Sequence, residues 1–300
     1  MAEYYRDFSQ FLATLFPGKM QKIAVNAGFT CPNRDGTKGR GGCTYCNNQT
    51  FNPAYCAPSL NVTEQLEEGK KFFARKYPNM RYLAYFQAYT NTHGDVKRLL
   101  ELYNEALAVD KVDGLIIGTR PDCMPQQLLD ELSKINQTNP VIVEYGAETS
   151  HNSTLQFINR CHTWEDTVDA VNRTHEAGIA VGLHFILGLP GENEEMILNT
   201  VDKVSELPID TIKFHQLQLV RGTRMALDVE QEKYSVPTFT VDQYIDLCCK
   251  VLQHLRPSIA VERFVSQSPD DLLISPRWGL KNYEFTHRLN NRLKELHQSQ

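Results

Sequence analysis

Short apolar runs alternate with amphipathic segments along most of the chain. The runs are KIAVN from Lys22, RYLAYFQA from Arg81, DGLIIG from Asp113, VIVEYG from Val141, AVGLHFILG from Ala180 and DTIKFHQLQL from Asp210. Each is of strand length and rich in β-branched or aromatic residues. They are apolar nearly throughout rather than at every second position. Strands of that kind are buried on both faces, as in a parallel sheet covered by helices.

The segments between them carry helix punctuation. Asn61 followed by Glu64 forms a capping-box pattern ahead of EQLEEGKKFFARK. Pro125 opens QQLLDELSKI, and Thr163 with Asp166 starts a helix running to Ala177, where Gly178 supplies a left-handed stop. Six strand-then-helix units in order predict an α/β fold, an incomplete (β/α)6 TIM-like barrel, because right-handed crossovers lay each strand beside the last. A doubly wound open sheet is the alternative. In either topology the active site lies at the carboxyl ends of the strands. No linker divides the chain, so residues 1–300 read as one domain. The barrel core spans about 20–225, and an extension over about 226–300 packs on or closes it, ending in a helix from LNNRLKELHQ.

Composition agrees with that picture: 41% hydrophobic and 22% charged residues suit a globular chain with a substantial core. The longest apolar stretch falls well short of the ~20 residues of a membrane span, and the first residues lack a signal-peptide pattern. A cytoplasmic location without membrane contact is the expectation. The net charge of −5 hides two basic ends. Residues 1–50 hold six Lys/Arg against three Asp/Glu, and residues 277–300 hold five against two. Such ends suit contact with a polyanion, although a solvated surface explains them equally well.

In a reducing compartment, clustered cysteines point to metal or catalysis. Of eight cysteines, Cys123, Cys161, Cys248 and Cys249 read as small buried hydrophobes. The other four lie in or just after the first strand's loop, CPNRDGTKGRGGCTYC, which spaces Cys31-x11-Cys43-x2-Cys46, with Cys56 ten positions on. The CxxC pair lets two thiolates reach one centre from a tight turn, and four glycines free the loop to bring in Cys31. Three ligands on a [4Fe–4S] cluster would leave one iron open. All four cysteines fit a structural tetrahedral zinc site as well. Tyr45, before the last cysteine of the motif, suits packing against an adenine.

Further motifs follow in order: GTRPD from Gly118, EYGAET from Glu144, INRCHT from Ile158, HFILGLPGE from His184 and RGT from Arg221. With the cysteine loop they resemble the radical S-adenosylmethionine superfamily over about residues 22–223. The long first gap is similar to the branch of the Elongator catalytic subunit and the YhcC/YtqA-type proteins. Likeness to the latter runs through the C-terminal RWGLK segment.

The resemblance implies an enzyme that reductively cleaves S-adenosylmethionine (SAM) at a [4Fe–4S] cluster held by Cys31, Cys43 and Cys46. It also implies a 5′-deoxyadenosyl radical that abstracts hydrogen from the substrate. SAM contacts would come from Tyr45, from Gln87, Ala88, Tyr89 and Thr90, and from Glu148, Arg160, His184 and Gly188. An Arg fork suits the methionine carboxylate. A flavodoxin- or ferredoxin-type protein would donate the electron, and tRNA is a candidate substrate. Two departures stand out. Gln-Ala-Tyr replaces the Gly-Gly that often ends the second strand, and Gly118 replaces the acidic residue before TRPD. Simpler roles are also available. Arg160 suits a cap or a surface pair, Glu148 an ordinary strand-end carboxylate, His184 and His215 the core, and Gly188 a turn. Zinc-stabilised nucleic-acid binding and Fe–S electron carriage are the rival functions.

Overall fold

Six strands form where the apolar runs predict them: β1 (Met20–Val25), β2 (Arg81–Phe86), β3 (Val112–Thr119), β4 (Val141–Glu148), β5 (Ala180–Leu187) and β6 (Thr211–Gln216). The computed structural model describes residues 4–298 except Asn52, Ala54, Pro58 and residues 75–78. A two-residue β7 (Leu219–Val220) pairs antiparallel with β9 (Leu273–Ser275), and β8 (Ala260–Arg263) joins the main sheet. The sheet order is β1-β2-β3-β4-β5-β6-β8, every pair parallel. The expected incomplete barrel is therefore present, with a seventh strand from the C-terminal region beyond the six expected.

The helices are α1 (Phe8–Leu15), α2 (Val62–Ala74), α3 (Val96–Leu107), α4 (Gln126–Asn136), α5 (Asn152–Phe157), α6 (Trp164–Glu176), α7 (Glu194–Ser205), α8 (Arg224–Glu230), α9 (Val241–His254) and α10 (Asn282–Gln298). The capping boxes form as read. Asn61 and Glu64 exchange side-chain-to-backbone hydrogen bonds of 2.8 Å each, and Thr163 and Asp166 do the same at the start of α6. Gly178 ends that helix at φ +74°. The last expected residues of the second helix, Arg75 and Lys76, lie outside the described residues. No described helix is long and apolar enough to cross a membrane.

Residues alternate between the sheet's two faces, and each face has its own core. Outward positions such as Val143, Tyr145, Val181 and Leu183 pack in the large cluster under the helices. Inward positions Leu83, Tyr85, Ile116, Ile142 and Ala260 pack with Phe11, Leu12 and Phe16. Helix α1 and the Phe16 after it thus plug the amino-terminal end of the half-barrel. Three buried aromatic or aliphatic side chains, each worth ~1.5–3 kcal/mol in burial, hold the plug. This packing fills the lumen at that end, and the cavity lies towards the strands' carboxyl ends. Trp278 of RWGLK stacks on Phe285 and donates Nε1–H to the Phe239 carbonyl, so it fastens α10 to the body.

Candidate active site

A cavity of about 210 Å³ occupies the open end, lined by residues of β2 to β8 and by the loop that follows β1. Cys31, Cys43 and Cys46 line it together, and so do Tyr45, Gln87, Tyr89, Thr90, Glu148, Arg160 and His184. The ten residues come from four separate regions of the sequence. Ala88 and Gly188 are not part of the wall. Ala88 is buried behind it, and Gly188 turns at φ +88° where a Cβ would meet the Phe239 ring at 2.8 Å.

The cysteine loop is clasped by the INRCHT segment. Asn159 donates to the carbonyls of Gly42 (2.8 Å) and Arg40 (3.1 Å), Thr44 N–H to the Ile158 carbonyl (3.0 Å), and Asn33 to the Asn159 carbonyl. Asn159 and Cys161 take left-handed backbone conformations, φ +55° and +58°, which turn Arg160 between them into the cavity. Arg160 reaches three groups: Cys43 Sγ at 3.5 Å, the Gly146 carbonyl at 2.6 Å and Glu148 at 3.3 Å. Glu148 is itself left-handed, φ +69°, beside a bulge between β4 and β5. At Gly146 an added Cβ would stand 2.6 Å from Arg160 Nη2 and 2.8 Å from Glu148 Oε1, so both charged ends would have to shift. Gly118 is similarly placed: a side chain would press on the Phe86 carbonyl at 3.2 Å.

Three thiols on one wall are the donor set a metal cluster takes, although among the described residues no group of three or more His, Cys, Asp or Glu could hold a single metal ion as the side chains stand. Burial pushes the Cys46 thiol up to about 11, the neighbouring Cys43 adds to the rise, and Arg34 opposes it. A thiolate there requires positive charge beyond what the arginines supply, which a bound metal would provide. Arg160 Nε and Arg120 Nη1 are buried with no hydrogen-bond partner, so the wall holds donors waiting for acceptors. Cys56 is not in the wall. It is buried behind it with its Sγ 3.3 Å from Gln65, whose amide also bridges the Asn26 backbone.

Profile comparison decides the family: the Radical SAM superfamily matches residues 30–204, and the Radical_SAM C-terminal domain matches residues 209–295. The chain belongs to the radical SAM superfamily. YtqA of Bacillus subtilis is 36% identical over 290 residues, covering 97% of this chain and 89% of its own. A tRNA uridine(34) acetyltransferase of Methanocaldococcus jannaschii is 32% identical over 114 residues, 37% of this chain and 20% of that one. The structure of Methanocaldococcus infernus Elp3 superposes with a TM-score of 0.67 at 14% identity, over 93% of this chain and 63% of that one. At such identity the last likeness concerns fold, and this chain spans less than two thirds of that longer protein.

In this radical SAM chain, sequence reasoning missed the charged floor of the cavity. Glu144, 1% exposed, accepts from Lys213 (2.6 Å), Lys22 (3.3 Å) and His184 (3.1 Å). Glu262 of β8 pairs with the same two lysines, and Lys213 also donates to the Tyr85 hydroxyl at 3.1 Å. The lysines overcome burial and hold the Glu144 carboxyl well below its usual range. The signal was present: a Glu inside VIVEYG and a Lys inside TIKFHQ are charges in buried strands, which require partners.

Proposed function

We propose that this protein is a radical SAM enzyme that holds a [4Fe–4S] cluster on Cys31, Cys43 and Cys46 and binds SAM in the adjoining cavity. The observation that carries the reading is that these three cysteines line one cavity wall while Cys56 is occupied with Gln65 behind it. When bound and reduced, the cluster supplies the electron that splits SAM into methionine and a 5′-deoxyadenosyl radical, which takes hydrogen from a substrate. Arg160, anchored by Gly146 and Glu148, offers a guanidinium to the methionine carboxylate. Tyr45, Gln87, Tyr89, Thr90 and Glu148 bound the space for the rest of SAM. The plug of α1 keeps water from entering through the barrel's bottom. An oxygen-sensitive cluster requires a reducing compartment and a one-electron donor, for which a cytoplasmic flavodoxin or ferredoxin is suited.

The test is direct. Anaerobically purified protein should be brown with about four irons per chain, and with dithionite and SAM it should form 5′-deoxyadenosine. Colourless protein with one zinc would refute the reading, and a cluster without 5′-deoxyadenosine would make the protein an electron carrier. For the substrate, the partial likeness to a tRNA uridine(34) acetyltransferase favours tRNA. An unchanged modified-nucleoside profile in cells lacking the protein would count against that.

A further inference from the structure

The cavity has two poles. One is the cysteine–Arg160–Glu148 wall, and the other is His184, His215 and Arg263, joined through a His184–His215 ring contact of 5.9 Å. Below the second pole, Lys22 and Lys213 meet Glu144 and Glu262 in four ion pairs. Two cations and two anions make that square neutral. Arg263, on β8 beside it, is a surplus cation. Its Nη2 meets His215 Nε2 at 3.3 Å, and its Nε is buried without a partner. Among the described residues it has no carboxylate within ion-pair distance, although Arg81 and Arg120 pair with Asp113 and Asp122 through that same Nε side of the guanidinium.

The two histidines do not change this balance. Burial holds His215 well below its usual value, with Arg263 and then His184 adding to the fall. Burial and Lys213 lower His184, with Glu144 opposing. The Arg263 guanidinium can only donate, so His215 Nε2 accepts from it and helps to fix the guanidinium plane. Gln216 and Gln218 fix the other side: their amides donate to the Ser266 carbonyl at 3.0 Å each and hold the segment after Arg263 against β6. Glu262 lies within Arg263's field but is paired with the two lysines, so an oriented, half-buried guanidinium with no carboxylate in direct contact favours an arriving anion.

We propose that Arg263 receives the anionic group, phosphate or carboxylate, of the substrate, and so anchors it across the cavity from the cysteines. The anion site stands on charge and hydrogen bonding; its assignment to the substrate rests on the radical SAM reading. The probes are inorganic phosphate and acetate, each titrated into full-length protein while the melting temperature is followed. The wild type should gain stability with at least one of them as linkage requires. Which anion acts tells phosphate from carboxylate. Arg263→Gln should weaken that anion's apparent affinity at least tenfold, and Arg263→Lys should retain part of it. Equal increments in wild type and Arg263→Gln would overturn the proposal, as would no increment with either anion. Iron content and 5′-deoxyadenosine are measured on the same wild-type preparation. An Arg263-dependent response in protein that forms no 5′-deoxyadenosine would leave the anion site standing and remove the radical SAM reading.

Discussion

Replacing Glu144 by Gln would test whether the charged square in the lumen acts as a unit. The substitution keeps the shape and one acceptor oxygen but removes a negative charge that is 1% exposed and 2.6 Å from a lysine itself 3% exposed. Removing one member of a buried pair costs about 3–5 kcal/mol, because the other charge is left desolvated. Here Lys213 keeps Glu262 at 3.2 Å, which places the loss at the lower end, ~3 kcal/mol. With an unfolding entropy of ~2.1 cal/mol/K per residue, that loss corresponds to a fall in Tm of about 5 °C for this chain. The pair Glu144→Gln with Lys213→Met restores neutrality, since Lys22 and Glu262 remain together. It should recover roughly 2 kcal/mol relative to the sum of the single changes. Urea unfolding of the four proteins at low and high salt provides the measurement. Salt should change the coupling little, because buried pairs are weakly screened. A single-variant cost below about 1 kcal/mol, or strict additivity, would refute the square.

Cys56→Ser should keep the wild-type iron content, whereas Ser at Cys31, Cys43 or Cys46 should lose most of it, as iron analysis after anaerobic reconstitution will read. Gly39→Ala should cost roughly 1–3 kcal/mol and loosen the cysteine loop, because its Cβ would lie 2.3 Å from Asn33 Oδ1 and 2.7 Å from Cys161 Sγ. Equal melting temperatures for Gly39→Ala and wild type would show that the loop gives way freely. Asp122 supplies a pH dependence: burial raises its carboxyl, but Arg120 and then Lys38 outweigh that and hold it at about 2 against an ordinary 3.8. Because the folded value is depressed, the contribution of about 2 kcal/mol is present above pH 4 and is lost as pH falls from about 4 to 2. Unfolding of Asp122→Asn should lack that step, and an identical acid limb in both proteins would disprove it.

The sheet was legible because parallel strands covered by helices need long apolar runs, and six of the seven have them. Strand β8 was not, because its four residues, AVER, end in the two charges that serve the lumen. A strand so short, with an acid and a base at its end, looks like a solvent-facing turn until the lysines that meet Glu262 are known. Helix α1 was hidden differently. Its FSQFLATL pattern is amphipathic, but nothing local says that its apolar side fills the inside of a barrel built from residues that follow it.

The same division holds for the site. The cysteine pole could be read because its chemistry is written in local spacing, a loop of sixteen residues with three thiols and the glycines to fold it. The opposite pole assembles one residue at a time from different strands: His184 from β5, His215 from β6 and Arg263 from β8. Spacing of 31 and 48 residues carries no periodic signal, so only the fold could bring them together. The consequence concerns function directly. The part of the cavity that defines the family is legible in sequence, and the part that would choose the substrate is supplied by the sheet's register and by the C-terminal strand. Variation among relatives in substrate should therefore track the residues at the positions of His215 and Arg263 rather than the cysteine loop. Exchanging Arg263 should alter which anion binds, with Cys31, Cys43 and Cys46 left in place.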